Sequence, residues 1–475
     1  MYKLIKRMAM TGVLILLCSP WAGLSAEDSF TAILKHTLDT NPQVYNAQQK
    51  YVAAQTLIPQ ALSQLLPNVS AQLSNTYSST HSPSGSSQTD PTLASLTLSQ
   101  PLYNLETLRN YRLIYPQVKA AFMDLEVVRQ RIFMDYVEKA ANLLQGREII
   151  TLAEDNYKLS VSHLQATQIR FGVGELTKTD VSQSLARVYT AKSGMISAKA
   201  DNDSNRSLFA ELTGQKVGDD FELPTVQHEM FGLSFDKLKG AIDQRPDIAA
   251  QLLRLQSAQE AIEARKAGFW PTASVTSSGT KTWNPGLGVS GPQENVSVAL
   301  NLSWPLYSGG ATMSRIDEAV SQRESQQALL EQARFAALRE LEVALLEYGK
   351  AEAVDQSNSV RMEAAKDALM GVTEEFKVGT RTTLDILDAQ NQLFSAQTEK
   401  VKGRYAHNLS KFRILKALGM LSLEKIESSL VPLPKGDKQD VINLDKLPEN
   451  YLHSDQQLLK TEPNINTKNR TGSVF

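Results

Sequence analysis

Apolar and polar side chains alternate along three short stretches of the chain, at about 69–74, 94–99 and 296–304. Alternation with a period of two is typical of a β-strand that has one apolar and one polar face. Segments rich in Ser, Gly and Pro at 81–91 and 283–292 predict the loops that join the strands of each pair. The pattern therefore predicts two antiparallel strand pairs, at 67–101 and 271–305.

Long stretches with helical spacing follow each predicted strand pair. No proline occurs between residues 117 and 223 or between 306 and 431, and apolar residues recur three or four positions apart. The second of these stretches predicts one helix from about 311 to 376 and a returning helix from about 382 to 418. Since globular helices usually run to 8–20 residues, helices of this length indicate long structural hairpins.

The order of helix, strand pair and long helices occurs twice. Helical patterns at 29–63 and 235–268 open the two copies. Short motifs return at an offset of 204 or 205 positions: Asn-Pro-Gln-Val at 41–44 and Arg-Pro-Asp-Ile at 245–248, Leu-Pro-Asn-Val-Ser at 66–70 and Trp-Pro-Thr-Ala-Ser at 270–274, Phe-Gly-Val-Gly at 171–174 and Phe-Lys-Val-Gly at 376–379. Agreement over half the chain predicts two copies of one structural unit.

The repeat and the composition together predict the domain organisation. We predict a signal peptide at 1–26, a first repeat at 27–214, a linker at 215–233, a second repeat at 234–420 and a C-terminal tail at 421–475. The tail is rich in Pro, Asn, Asp and Lys, which predicts partial disorder.

The N-terminus has the pattern of a secretory signal. Three basic residues precede a short apolar run at 8–18, and Ala26 offers a small residue for cleavage. Lipidation at Cys18 is an alternative, but Leu16 and Leu17 are not the small residues that usually precede a lipoprotein cysteine. Cys18 is the only cysteine, so the mature chain has no candidate disulfide or thiolate metal site.

An exported chain with four alternating strands raises the question of how those strands are paired. Four strands cannot close a membrane barrel, since small barrels need about eight. Three chains would supply twelve, with apolar faces toward lipid and polar faces toward a wet lumen. The alternative is an ordinary soluble antiparallel sheet packed on the helices. The formal charge of −2 gives no reason to expect nucleic-acid binding.

One segment is specific enough to suggest a family. The sequence Val-Gly-Thr-Arg-Thr-Thr-Leu-Asp-Ile-Leu-Asp-Ala-Gln at 378–390, together with the two-fold repeat and the Arg-Pro-Asp-Ile at 245–248, resembles the outer-membrane efflux proteins of the TolC family. The Pro-Leu-Tyr strand ends at 101–103 and 305–307 share this resemblance. It covers nearly everything from about 27 to 425.

The resemblance implies a mainly α-helical fold with a membrane β-barrel. Three chains would share a twelve-stranded barrel standing on a long α-helical tunnel, in the bacterial outer membrane and extending into the periplasm. The implied function is passive multidrug efflux or type I protein secretion. The implied partners are outer-membrane lipid, a periplasmic adaptor protein and an inner-membrane pump of the RND or ABC type. The hairpin tips, near 171–180 and 376–388, would form the periplasmic entrance.

Two carboxylates near the second tip are candidate gate residues. Asp385 and Asp388 are three positions apart, so they share one helix face. In a trimer they would form a ring of six carboxylates that attracts cations. Added cations would bind this ring and block the pore. The ring would not be a structural metal site. The alternative for Asp385 is helix capping, because Thr382 precedes it by three positions, as Thr177 precedes Asp180.

By resemblance, Arg381 latches the entrance by binding Thr179 and Asp180 at the tip of the neighbouring helix pair. Its guanidinium can hold a carboxylate and a carbonyl together. The alternative is an ordinary exposed arginine on a turn. Phe376 departs from the family's best-known member, which has a Tyr there that joins the latch.

The glycines near the tips, Gly172, Gly174 and Gly379, suit tight turns that need a positive φ. The resemblance also makes the tips the docking surface for adaptor hairpins. The residues that we assign to this surface are Gly172, Val173, Gly174, Val378, Gly379 and Thr380.

Nothing in the sequence favours an enzyme. The six histidines are scattered without metal-ligand spacing, and there is no phosphate loop, dinucleotide fingerprint or nucleophile elbow. We therefore predict neither catalysis nor a cofactor. The rival function is that of a periplasmic coiled-coil scaffold without a pore, which would need no detergent for purification.

Overall fold

The computed structural model describes residues 30–422, apart from 84, 217, 219, 220, 225, 227–230, 232 and 286–290. The predicted signal peptide and all but the first two residues of the predicted tail lie outside the described residues.

Helices make up most of the described chain. They are α1 (Phe30–Thr40), α2 (Pro42–Gln55), α3 (Leu57–Ser63), α4 (Leu105–Gly172), α5 (Lys178–Thr213), α6 (Phe235–Leu238), α7 (Pro246–Lys266), α8 (Ala311–Lys377) and α9 (Thr383–Ala417), with 3₁₀ helices at Lys239–Gln244 and Ala267–Phe269. The predicted long helices are confirmed, since the 67 residues of α8 span on the order of 100 Å. A search of the described helices finds none with the length and apolar character needed to span a membrane.

The helical patterns at 29–63 and 235–268 each form more than one helix in the structure. Pro42 and Pro246 each occupy the first position of a new helix, because proline lacks the N–H that a helix interior needs. Asn41 caps α2 by accepting from the amide of Gln43, 2.9 Å away. Its own side-chain amide donates to the carbonyl of Leu212 in α5, 3.2 Å away, which fixes this break against the first hairpin.

The strands form two antiparallel sheets. They are β1 (Asn68–Asn75), β2 (Ser78–Ser82), β3 (Gly85–Thr89), β4 (Thr92–Tyr103), β5 (Thr272–Trp283) and β6 (Gln293–Ser303). The larger sheet has the order β1-β4-β5-β6, so the strand pairs of the two repeats meet where β4 pairs with β5. Strands β1 and β6 are its edges.

The segment between β1 and β4 differs from the prediction of a loop at 81–91. There β2 and β3 pair as a separate two-stranded ribbon, with Thr80 opposite Ser87. The ribbon has no apolar face, so the hydrophobic pattern could not show it. Its two strands are rich in Ser and Thr and pair through backbone hydrogen bonds, which do not depend on the side chain.

The register of the larger sheet confirms the predicted alternation. Val69 lies opposite Leu98, which lies opposite Ser277, which lies opposite Val298. One face is therefore continuous and mainly apolar across all four strands, while the other carries Ser, Thr, Asn and Gln. Every residue of β6 is exposed, including Val296 at 80% and Leu302 at 72%. This edge of the sheet is therefore not packed on the helices, whereas the alternative of a soluble sheet requires such packing.

The main core lies where the hairpins join the opening helices. The ring of Tyr136 on α4 packs edge-on against Phe30 at 5.1 Å, and its hydroxyl donates to the Phe30 carbonyl. Phe209 of α5 and Phe221 complete this aromatic cluster. Because Phe221 is only 2% exposed, the predicted linker at 215–233 contributes to the core.

The two hairpins are tied together in the middle of their length by ion pairs. Arg413 of α9 donates to Glu138 of α4 at 3.2 Å and to Glu347 of α8 at 2.9 Å. Further toward the tips, Arg404 and Tyr405 of α9 both bind Glu148 of α4. These contacts place the hairpins side by side, so that their tips lie at the same end.

Candidate functional site at the hairpin tips

Both hairpins reverse direction through the same turn. Gly174 and Gly379 each have a φ of 83°, in the left-handed region that favours glycine. In each turn the amide of the next residue donates to the carbonyl five positions earlier, at 2.9 Å in the first tip and 3.0 Å in the second. The prediction of a positive φ is confirmed for these two glycines. It is wrong for Gly172, which is the last residue of α4.

The difference between Gly172 and Gly174 gives a direct test of the turn. Neither glycine has an atom within 4 Å of an added Cβ, so only the backbone conformation distinguishes them. We expect Gly174→Ala to destabilise the hairpin by about 1–2 kcal/mol, because alanine is strained at positive φ. Gly172→Ala should be neutral or stabilising by up to about 1 kcal/mol, because alanine is the better helix former. Hydrogen exchange of the tip amides would measure both, and equal effects would contradict the turn assignment.

Both tips begin their returning helix with a capping box, as the sequence predicted. Asp385 accepts from the backbone N–H and the hydroxyl of Thr382, each at 2.8 Å, and the hydroxyl of Thr382 in turn accepts from the Asp385 amide. Thr177 and Asp180 repeat this arrangement in the first tip. The bonds from Thr382 hold the pKa of Asp385 below its ordinary value of 3.8.

Asp388 lies one turn further along α9 and differs from Asp385 in its surroundings. Its side chain is exposed, and the described residues make no hydrogen bond or ion pair with it. The residues between the two carboxylates, Ile386 and Leu387, are buried against the rest of the hairpins. The structure therefore separates the pair into one carboxylate committed to helix capping and one that is free.

Arg381 is held within its own turn. Its Nε donates to Glu375 at 2.6 Å, and about half of each side chain is exposed. The bond to Glu375 raises the pKa of Arg381. Thr179 is exposed on the other hairpin. The predicted contact of Arg381 with Thr179 and Asp180 is not among the described contacts and stays a prediction.

Other contacts join the two tips. The guanidinium of Arg170 lies over the ring of Phe376, 4.7 Å from its centroid, which is within the range of a cation–π interaction. Asp180 lies near the buried hydroxyl of Thr383 on α9. Bonds from Thr177 lower the pKa of Asp180, and Thr383 adds to that effect. Phe376 thus has a partner across the hairpins without a tyrosine hydroxyl.

Sequence reasoning missed Arg170 and Glu375, although the repeat offset contained the signal. The two residues occupy equivalent positions, each directly before the phenylalanine of its tip motif. One tip is therefore basic where the other is acidic. The guanidinium of Arg170 contacts the Phe376 ring of the second tip, whereas Glu375 binds Arg381 within its own turn.

The end of each tip exposes apolar side chains. Val173 is 69% exposed and Val378 is 76% exposed. They flank the two turn glycines and are surrounded by charged residues. Among the described residues no group of three or more His, Cys, Asp or Glu side chains could hold a metal ion.

The structure is built from two repeats, each a strand pair followed by a long helical hairpin. The sequence profile of the outer membrane efflux protein family matches residues 33–215 and 238–420, and the chain belongs to this family. It is accordingly an efflux protein of the bacterial outer membrane.

Several curated relatives cover most of the chain. It is 26% identical to the outer membrane efflux protein BepC of Brucella suis over 69% of this chain and 72% of the relative. It is 24% identical to the outer membrane protein TolC of Escherichia coli, with 85% of each chain covered. It is 23% identical to the alkaline protease secretion protein AprF of Pseudomonas aeruginosa over 71% of this chain and 72% of the relative.

Solved structures share the fold. The outer-membrane channel OprN aligns with a TM-score of 0.71 at 21% identity, covering 82% of this chain and 89% of the other. The channel CusC aligns with a TM-score of 0.72 at 17% identity, covering 86% and 95%.

Proposed function

We propose that three copies of this chain form one channel-tunnel. The copies share a twelve-stranded barrel through which substrates, handed over by an inner-membrane pump and a periplasmic adaptor, leave the cell passively. The observation that carries the proposal is the continuous, uncovered apolar face of the β1-β4-β5-β6 sheet.

The open edges of this sheet support the assembly. Exposed edge strands invite pairing with another chain, and closure into a barrel removes them. Strand β1 of one copy would pair with strand β6 of the next, so that the backbone groups at both edges would form hydrogen bonds. The large aromatic residues at the strand ends, among them Trp283 at one end and Trp304 at the other, suit the two interfaces of a membrane.

The exposed apolar tips support docking of an adaptor protein. Val173 and Val378 would contact adaptor hairpins, and the adaptor would connect the channel to a pump of the RND or ABC type. The relative named for alkaline protease secretion favours type I secretion. Another, an antibiotic efflux pump outer membrane protein of Pseudomonas putida, favours multidrug efflux. A periplasmic scaffold without a pore is the competing function.

A charge placed on either face of the sheet tests the proposal. Leu300→Arg puts a cation on the apolar face, which costs about 2–4 kcal/mol near the middle of a bilayer. Asn301→Arg puts the same cation on the polar face and is the matched control. We expect the first variant to reduce the yield of detergent-solubilised trimer and the second to leave it intact. A wild-type chain that is a monomer without detergent, or that conducts no ions after reconstitution, would establish the scaffold function instead.

We further propose that Arg381 latches the tunnel entrance by contacting Thr179 and Asp180 in the assembled protein. The exposed guanidinium next to the turn supports this role. Arg381→Ser should raise single-channel conductance and make cells more permeable to large antibiotics. Fold stability should change little, because an exposed ion pair contributes about 0–1 kcal/mol.

The variant Glu375→Gln separates the latch from the local ion pair. It removes the negative charge that pairs with Arg381 within its own turn and leaves the guanidinium in place. If the latch exists, Glu375→Gln should retain wild-type conductance. Equal conductance changes in the two variants would show that Arg381 acts only by pairing with Glu375.

A further inference from the structure

A glycine interrupts the apolar face of the sheet. Gly279 lies in the interior of β5, directly between Leu96 of β4 and Val296 of β6, and the pairing on both sides is unbroken there. No positive φ requires a glycine, and an added Cβ would meet no atom within 4 Å. A glycine inside a strand often marks a bulge, a tight bend of a barrel, or a place where a ligand or another backbone approaches closely.

A shallow, open depression of about 530 Å³ surrounds Gly279. Both small and larger apolar residues line it. The small ones are Ala71, Ala94 and Gly279, the larger ones are Leu73, Leu96 and Val296, and polar residues such as Gln72 and Asn295 also contribute to the lining. This shape and composition suit an alkyl chain.

Charged and aromatic groups close one end of the depression. Lys281 and Glu294 lie on the same face, with Nζ and Oε1 2.7 Å apart. The ammonium of Lys281 also lies 5.5 Å from the centroid of the Trp283 ring. A charged pair on a face that meets lipid is costly in the hydrocarbon region and belongs at headgroup level. This end of β5 is the one farther from α7, so in the proposed channel it points out of the cell.

We propose that the depression binds a phosphoglycolipid of the outer leaflet. One acyl chain lies against Gly279, and the phosphate of the headgroup accepts a hydrogen bond from Lys281. Glu294 can only accept when ionised, so it suits the hydroxyl groups of a sugar. The ammonium of phosphatidylethanolamine is a competing donor for Glu294, so that lipid is the control that decides the choice of headgroup. The inference rests on the proposed membrane barrel and adds a specific lipid site to it.

The binding test uses the full-length wild-type protein in detergent, titrated with purified bis-phosphorylated lipid A and followed by native mass spectrometry. We expect one lipid per chain. Dephosphorylated lipid A, phosphatidylethanolamine and phosphatidylglycerol should each bind at least tenfold more weakly. Absence of lipid A binding would overturn the site. Equal binding of phosphatidylethanolamine or phosphatidylglycerol would overturn the choice of a glycolipid.

Two leucine substitutions on one strand locate the site. Gly279→Leu fills the depression, whereas Ser277→Leu adds the same side chain to the same face one pair nearer the helices, outside the depression. We expect a tenfold or greater loss of lipid A binding for the first and wild-type binding for the second. Lys281→Gln should lose the preference for the phosphorylated lipid. Equal binding by the two leucine variants would overturn the assignment.

Conductance measurements keep the site separate from the channel. If the variants and wild type conduct ions and run as trimers but show no selective lipid A binding, the lipid site is wrong and the channel stands. If wild type forms no conducting trimer, the channel proposal fails as well.

Discussion

Replacing Asp388 with Asn should strongly weaken the block of the channel by multivalent cations added on the tip side. The side chain of Asp388 is exposed and has no partner among the described residues. We propose that in the trimer it faces the axis, where its charge would be available to a cation. One cation can neutralise several carboxylates at once, which makes the block depend steeply on their number. We expect the inhibitory cation concentration to rise at least tenfold in reconstituted channels, with reduced cation preference.

Two other variants show whether position or total charge matters. Glu374→Gln removes the same charge from an exposed residue of the same tip, which pairs with Lys377 at 2.7 Å, and should leave the block unchanged. Asp385→Asn alters a carboxylate that the capping box already uses, so its effect should include loosening of the first turn of α9. If Asp388→Asn retains the wild-type block, the carboxylate ring is wrong for that residue.

Replacing Arg245 with Met should cause the largest loss of stability among these variants, about 3 kcal/mol. The guanidinium is almost fully buried. It donates to Asp247 at 2.8 and 3.0 Å, to Glu340 at 2.8 Å and to the carbonyl of Ala417 at 2.8 Å. Removing one partner of a buried ion pair leaves the others uncompensated, which typically costs about 3–5 kcal/mol. The lower end applies because both carboxylates remain over one third exposed.

Arg254→Met is the matched control for this effect. Arg254 also pairs with a carboxylate, Asp124, but both side chains are at least one third exposed. Its loss should cost less than about 1 kcal/mol. Thermal unfolding in detergent at neutral pH compares the two variants, and equal shifts would contradict a special role for Arg245.

The same ion pair predicts a pH dependence. Burial acts to raise the pKa of Asp247, but the bonds from Arg245 prevail and lower it below 3.8. A carboxyl whose pKa is lowered by folding stabilises the fold above its unfolded pKa. That contribution is lost as the pH falls below about 4 and through the lowered value. Arg245→Met should therefore lose less stability on acidification than wild type does.

The sequence around Arg245 marked the start of a helix but did not reveal which groups the arginine binds. The Arg-Pro-Asp-Ile motif was visible as the start of the second repeat, and its proline correctly marks a helix start. Its arginine reaches Glu340 in α8 and the end of α9, which are far away in the chain. No spacing rule within the motif could have predicted those partners.

The sequence by itself determined the features that depend on neighbouring residues. Strand alternation, the long helices, the two capping boxes and the left-handed Gly174 and Gly379 follow from local backbone preferences and side chains only a few positions apart. The tertiary structure decided which distant groups meet. It placed Arg170 on Phe376, buried Phe221 of the predicted linker, and left Asp388 free while Asp385 caps its helix. These outcomes depend on how the two hairpins pack, because packing brings together residues that no local pattern connects.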